Sequence, residues 1–352
     1  MSNPATIETF SCPVPLDPGP RVLLGHGSGG TLSARLVREV FLPAFDNAAL
    51  ARLDDQAVLR VGDSRLAFTT DSFVVKPLFF PGGDIGSLAV HGTVNDLAMG
   101  GARPLFLSVA FIIEEGFEVN ALARVVASMR DAAAAAGVEI VTGDTKVVEK
   151  GSGDGLFINT SGIGIIPDGL ELSADRARPG DRIILSGSIG DHGIAILAKR
   201  EGLEFETAIE SDSAPLHGLV AAMLAASPGI RCMRDPTRGG VSSTCNEIAA
   251  SSRVGMLLDE TAIPVGEEVR GACELLGLDP LYVANEGKLV AVVAPEAADA
   301  ILAAMRAHPL GRNAALIGTV TDGPPGSVMM RTDFGTTRLV EMLAGDQLPR
   351  IC

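Results

Sequence analysis

The chain alternates strand-like segments with helical-period segments, and it does so twice, on either side of one Pro-, Gly- and charge-rich stretch, IIPDGLELSADRARPGD. Alternation of this kind builds α/β layers around a hydrophobic core. At 352 residues the chain exceeds one typical domain. The irregular stretch is therefore predicted to be a boundary: a leader over residues 1–20, an N-terminal α/β unit over 21–166, a C-terminal α/β unit over 178–342, and a tail over 343–352.

Arg21 to Leu24 reads as a short strand before the Gly-rich GHGSGG and the helix-like TLSARLVREVFLPAF. β-Branched and aromatic residues in AVLRV and RLAFTTDSFVV predict a strand pair. Helical periodicity runs from Asp84 to Met99 and is stopped by Gly100 and Gly101; the continuous apolar run Pro104 to Ile113 predicts a buried strand. A second helix spans Asn120 to Ala136, with Asn120 as cap and Gly137 as stop. VEIVTGDTKVV and LFINTSGIGII are two further strands, and DRIILSGSIGDHGIAILAKREG restarts the pattern as strand, turn and helix. The closing LAGDQLPRIC carries no period and is predicted to be an exposed tail.

With 47% hydrophobic residues, no Trp and one Tyr, the core must be aliphatic. A formal charge of -15 without a Lys/Arg cluster excludes the basic footprint that nucleic acid requires. The first twenty residues lack a basic n-region and an apolar h-region, and apolar runs end after about ten residues, too short for a bilayer. A cytoplasmic protein with no membrane partner is expected. Cys12, Cys232, Cys245, Cys273 and Cys352 are spread without a CxxC pair, so reduced thiols are expected.

GHGSGG matches G-x-G-x-x-G, for which three readings stand: a dinucleotide site, a plain turn, or a flap over nucleotide phosphates. A Rossmann unit also needs an acidic residue at the end of its second strand, and LDDQAVL opens a β pair instead. No G-x-x-x-x-G-K-[ST] occurs, so a bound ATP would need metal bridges to its phosphates. Candidate ligands stand at turns flanking strands: Asp54 and Asp55, Asp71, Asp96, Asp144 and Asp235. Carboxylates of this kind suit Mg²⁺, although any single Asp beside Gly, Ser or Thr also suits a plain turn or cap. Lys146, two residues after Asp144, would neutralise phosphoryl charge if its strand end faces a nucleotide, and is otherwise a surface lysine. Glu286, before Gly287, is either a desolvated base beside a cleft or a solvated turn residue. Cys352, the last residue given, places a thiol on a segment able to enter an active site.

The blocks GHGSGG, TTDSFVVKPLFFPGGDIG, HGTVNDLAMGGA, VTGDTKVVEKG, RDPTRGGV, CELLGLDPLYVANEGK and LPRIC together closely resemble the HypE family of hydrogenase maturation proteins, from about Leu24 to Cys352. That family belongs with the ATP enzymes typified by aminoimidazole ribonucleotide synthetase, selenophosphate synthetase and thiamine-phosphate kinase. The resemblance implies a two-domain α/β fold of the aminoimidazole ribonucleotide synthetase type, with N-terminal strands forming an intersubunit barrel in a homodimer.

It also implies a reaction. A HypF-type carbamoyltransferase loads a carbamoyl group on Cys352, MgATP drives its dehydration to thiocyanate, and the cyanide passes to iron on a HypC–HypD type scaffold during nickel–iron hydrogenase maturation. By the same resemblance Cys352, Lys146 and Glu286 are catalytic, and Asp54, Asp55, Asp71, Asp96 and Asp235 hold metal. Gly27, Ser28, Gly29, Gly30, Asn95, Gly143, Asp144 and Thr145 bind nucleotide. A selenophosphate synthetase would want a reactive Cys in the Gly-rich loop, which GHGSGG lacks, and the leader and Cys12 have no assigned role. Two rivals remain at this point: an ATP enzyme of the same group that phosphorylates a free small molecule, and a catalytically silent scaffold whose tail docks partners.

Overall fold

The computed structural model describes residues 21–45, 47–203, 209–345 and 351–352; the leader with Cys12, and Pro349 of the tail, lie outside the described residues. The first half contains α1 (Thr31–Leu36), continuing through a π-helical turn at Val37–Phe41 into α2 (Leu42–Phe45), then β1 (Ala57–Val61), β2 (Ser64–Phe73), and the short pair β3 (Phe79–Phe80) and β4 (Gly83–Asp84). It continues through α3 (Ile85–Met99), β5 (Arg103–Glu114), α4 (Val119–Ala136), β6 (Glu139–Val148) and β7 (Leu156–Ile165). The second half contains β8 (Arg182–Leu185), α5 (Asp191–Glu201), α6 (His217–Ala226), β9 (Ile230–Arg234), α7 (Gly240–Ser252), β10 (Gly255–Asp259) and α8 (Glu267–Leu276). It ends with β11 (Val290–Val293), α9 (Ala298–Ala307), β12 (Ala315–Thr321), β13 (Val328–Arg331) and β14 (Thr337–Leu339).

Each half builds one mixed sheet, of order β1-β2-β7-β5-β6 in the first and β14-β13-β10-β12-β8-β11-β9 in the second. The strands β5 and β6 run parallel because α4 crosses between them; the other pairs of the first sheet are antiparallel. The helix α3 is buried nearly all round, because it packs on β2 and β7 with one side and on α6 and β9 of the second half with another. A helix with no polar face requires such double cover. Its end contributes Ala98 and Met99 to a cluster that includes Ile184, Leu216, Leu219 and Met233, so one continuous apolar core joins the halves.

Local signals set the helix ends. Asp84 caps α3 by accepting from the N–H groups of Gly86 (2.7 Å) and Ser87 (3.1 Å). Gly137, with φ of 66°, ends α4 in the left-handed conformation that suits glycine. That helix starts one residue earlier than expected, at Val119, after Glu118, and Asn120 is not its cap.

Two further expectations are corrected. Arg21 to Leu24 forms no strand: the Leu23 N–H is taken by His26 Nδ1 at 2.9 Å, and the chain turns into a 3-10 helix at Leu24–Gly27. The apolar run of β5 is covered on one face alone, with Phe106 and Ile112 more than 40% exposed on the other. A run without alternation asks for cover on both faces, and this chain supplies one.

Candidate functional site

The loop ends of both sheets meet at a polar cavity of about 230 Å³ lined by Asp55, Asp71, Asp96, Asp235, Glu286 and Cys352, with Gly29 at its edge. Asp55 precedes β1, Asp71 lies on β2, Asp96 on α3, Asp235 follows β9, and Glu286 precedes β11. Five acids far apart in the chain converge because α3 is held between the two sheets. Thr69 Oγ1 ties two of their elements together, donating to the Asp55 carbonyl (2.9 Å) and standing 2.8 Å from Asp96 Oδ2.

Burial dominates the electrostatics. It pushes the Asp55 and Asp96 carboxyls well above the usual carboxylate range, with the neighbouring acids adding to the effect. It raises Asp71 against the opposing charge of Arg238, and lifts Asp235 to about 6. Glu286 is raised well above its ordinary value by burial and by Asp235, Asp71 and Asp212. The same burial pushes the Cys352 thiol up to about 12, opposed by Arg238.

Glu286 is 2% exposed and its Oε1 has no hydrogen-bond partner. Its peptide is held at both ends: the N–H donates to Asp212 Oδ1 (3.0 Å) and the carbonyl accepts from Asn95 Nδ2 (3.0 Å). The carboxylate is thus aimed into the cavity by its backbone, with an oxygen left open. Asp55 Oδ2 is likewise buried and unpaired, while Asp55 pairs through Oδ1 with Arg234 at 2.9 Å.

Orphaned carboxylate oxygens and mutually repelling acids are what a hard divalent cation would satisfy. Among the described residues, no three His, Cys, Asp or Glu side chains stand close enough to hold an ion by themselves. Asp55, Asp71, Asp96 and Asp235 therefore suit an ion that takes its remaining ligands from phosphate oxygens and water.

The tail does not lie exposed at its end. Ile351 is buried, its carbonyl 2.6 Å from His192 Nε2, and the Val74 N–H donates to a main-chain oxygen of Cys352 at 2.9 Å. These bonds bring Cys352 into the cavity.

Several expected site residues are placed elsewhere. Asp54 accepts from Ser173 Oγ (3.2 Å) and the Ala174 N–H (3.0 Å) and pairs with Arg52 at 3.0 Å, so it fastens a loop outside the acidic cavity. Asn95 is fully buried, with Nδ2 donating to the carbonyls of Ala214 (3.1 Å) and Glu286 and Oδ1 accepting from the Leu216 N–H (2.7 Å). Both hydrogens of its amide are thus spent on positioning. Gly143, Asp144, Thr145 and Lys146 lie on the edge strand β6, exposed and away from the cavity, with Lys146 paired to Asp144 at 2.6 Å.

The Gly-rich loop is packed rather than free. Gly29 has φ of 73°, and a Cβ there would meet the Arg238 carbonyl oxygen at 2.6 Å. Ser28 Oγ donates to the Gly345 carbonyl (2.6 Å), and Gly30 lies so close to Leu343 that any side chain would collide with its backbone. Gly27 is exposed, its carbonyl 3.3 Å from Arg238 Nη1. With no strand ahead of this loop, the βα turn of a dinucleotide site is absent here, among the described residues.

Residue patterns missed the two cations of the cavity, Arg234 and Arg238, and the histidine that holds the tail. Both arginines stand in RDPTRGG, where the sole signal was a basic residue flanking an acidic candidate. His192 in GDHG carried none.

Family models match both halves: AIR synthase related protein, N-terminal domain, over residues 53–166, and AIR synthase related protein, C-terminal domain, over residues 178–331. A carbamoyl dehydratase HypE of Azotobacter vinelandii is 62% identical over 327 residues, covering 93% of this chain and 96% of that protein. Among solved structures, a HypE–HypF complex superposes with a TM-score of 0.84 at 51% identity, covering 88% of this chain and 99% of the other. A HypE in complex with ATP superposes with a TM-score of 0.80 at 53% identity, covering 94% and 100%. The fold is thus that of the AIR synthase related proteins. Within that class the chain belongs to the HypE family of hydrogenase maturation proteins.

Among the described residues, no helix is long and apolar enough to cross a membrane.

Proposed function

We propose that this chain is an ATP-dependent carbamoyl dehydratase acting on a carbamoyl group borne by its own Cys352, turning it into a thiocyanate that supplies cyanide to the iron of a nickel–iron hydrogenase. The observation that carries this reading is that the Cys352 thiol, the unpaired Glu286 carboxylate and four aspartates share one cavity. A HypE of known structure binds ATP, which supports the nucleotide.

The acidic cavity shares Gly29, Arg234 and Glu247 with a second cavity of about 300 Å³ that has an apolar wall of Ala34, Val37, Leu50, Leu53 and Met342. The apolar cavity takes the base of ATP and the acidic one its phosphates. Mg²⁺ held by Asp55, Asp71, Asp96 and Asp235 would neutralise phosphoryl charge there.

An amide oxygen is a poor leaving group. The carbamoyl oxygen attacks the γ-phosphorus, the bond to the β-phosphate oxygen breaks, and ADP leaves as one N–H proton passes to solvent water. The second N–H proton goes to Glu286 while the C–O bond breaks and phosphate departs, leaving S–C≡N. A desolvated carboxylate is a stronger base than one in water, which suits Glu286 to this role. Arg238, whose charge opposes the raised values of Asp71, Glu286 and Cys352, balances the acids around the sulfur.

The N-terminal sheet supports a homodimer. Phe68, Ile163 and Phe106 stand in register across β2, β7 and β5 on its uncovered face. The edge strand β6 adds exposed Ile140, Val141 and Val147, an apolar edge that a monomer would leave open to aggregation. In the dimer, Gly143, Asp144, Thr145 and Lys146 serve the partner subunit's cavity. The division into units of 21–166 and 178–342 then gives one dimerising unit and one that closes the site.

The Cys352 thiol is held neutral when docked, so carbamoyl loading by a HypF-type transferase takes place with the tail withdrawn; a solved HypE–HypF complex supports that partner. A HypC–HypD type scaffold takes the product. Incubation with a carbamoyltransferase, carbamoyl phosphate and MgATP should move the C-terminal peptide by about +43 Da and then to about +25 Da, the masses of the carbamoyl and cyano groups less the thiol hydrogen each replaces. A peptide that stays at its unmodified mass under these conditions would end this reading.

A further inference from the structure

We infer that His192, backed by Ser211, is a positioning residue for the dehydration: it latches the main chain of the tail at Ile351 and so seats the sulfur of Cys352 between Glu286 and Arg238. The inference rests on the function proposed above.

His192 lies in the first turn of α5 and is fully buried. Its Nε2 stands 2.6 Å from the Ile351 carbonyl oxygen, which can only accept. The proton is therefore on Nε2, and Nδ1 accepts from Ser211 Oγ at 2.8 Å. Ser211 Oγ in turn accepts the Ser213 N–H at 3.2 Å, so the chain of donors runs in one direction, from 213 through the ring to the tail. Phe80 meets the ring edge-on at 5.7 Å between centroids and holds its plane.

The segment 211–213 that backs the histidine is also the one that aims the base. Asp212 accepts the Glu286 N–H (3.0 Å) and pairs with Lys288 (2.9 Å), while Ser213 Oγ lies 3.0 Å from His91 Nδ1 of α3. One short loop thus positions both the tail and Glu286. A shift that loosened one would loosen the other.

Both bonds to the tail, from His192 to the Ile351 carbonyl and from the Val74 N–H to Cys352, are made to main-chain oxygens. They are available whatever the sulfur carries, so free, carbamoyl and cyano forms dock in one register. Main-chain bonds of this strength also release readily, as a carrier that visits other proteins requires.

The test uses the full chain. Alkylation of Cys352 by iodoacetamide at pH 8, followed by mass of the C-terminal peptide, reads the undocked fraction; Cys232, Cys245 and Cys273 are buried and serve as internal controls. His192→Leu should accelerate alkylation about five- to tenfold, the effect of losing one buried hydrogen bond. His192→Gln, whose amide N–H reaches toward the same carbonyl, should fall within about twofold of the natural protein. After carbamoyl loading, His192→Leu should slow the appearance of the cyano form by a similar factor and His192→Gln should restore it. A purely structural role would give no such rescue.

Equal alkylation rates in the natural protein and in a natively melting His192→Leu would overturn the latch. Faster alkylation with unchanged cyano formation would overturn its role in the reaction. If His192→Leu does not fold, Ser211→Ala keeps the ring, loses its backing, and should accelerate alkylation about two- to threefold; no acceleration there overturns the latch as well. If the natural protein never shows the carbamoyl form, the proposed function falls and takes the reaction role with it, while the alkylation comparison still decides the latch.

Discussion

The amide of Asn95 donates to the carbonyl of Glu286 at 3.0 Å, so a residue in the middle of the N-terminal unit's buried helix fixes the backbone of the proposed base in the C-terminal unit. Asn95→Ala strands three main-chain groups, two of them buried, at Leu216 and Glu286, and one half-buried, at Ala214. It should destabilise the fold by about 3 kcal/mol, since each buried polar group left unpaired costs about 1–3 kcal/mol. Urea unfolding of the nucleotide-free protein checks this; a loss below about 1 kcal/mol would mean that water replaces the amide.

Glu286→Gln keeps the shape of the side chain and removes its basicity. Carbamoyl loading of Cys352 should proceed, while conversion to the cyano form slows by about two to four orders of magnitude, the usual range for a general base. Peptide mass against time separates the steps. A variant that reaches the cyano mass at the natural rate would exclude Glu286 as the base.

Arg234 meets Asp55 at 2.9 Å and Glu247 at 3.0 Å, and donates to the Leu53 carbonyl at 3.0 Å, across the junction of the halves. Arg234→Met leaves two carboxylates without their cation and should cost about 3–5 kcal/mol. Added Mg²⁺ should recover part of the loss, because a cation relieves the same repulsion. Melting temperatures with and without Mg²⁺ are the measurement.

Asp235 binds its proton more tightly folded than unfolded, having risen from 3.8 to about 6. Its contribution to stability is therefore present below about pH 4 and lost as pH climbs through 6. Asp235→Asn should be more stable than the natural protein by about 1–3 kcal/mol at pH 7.5 and show no gain at pH 4. Denaturation at the two pH values, without nucleotide or magnesium, decides it; an equal gain at both would assign the effect to packing.

If Lys146 serves the partner subunit's cavity, two inactive variants should complement each other. Mixed and exchanged, Lys146→Ala and Glu286→Gln chains form hybrid dimers with one intact site. With random exchange about a quarter of the natural activity should return, whereas sites built within one subunit would return none.

Chain-local information settled the α/β alternation, most element ends and the residue types of the chemistry. Gly137 stops α4 and Asp84 caps α3 because capping depends on groups a few residues apart. Asp55, Asp71, Asp96, Asp235, Glu286 and Cys352 were legible as turn-flanking acids and a terminal thiol, and the blocks around them were specific enough to point to a family. Tertiary structure decided which of the acids meet. Asp54 and Asp55 are neighbours in sequence, yet one fastens a loop and the other faces the cavity, because consecutive side chains leave the backbone in different directions and only packing selects the one turned inward. It also decided the docking of the tail and the value of His192, whose neighbours Ser211 and Ile351 are remote in the chain. Hydrogen bonds of that kind have no period or spacing, so they become visible only when the chain has folded.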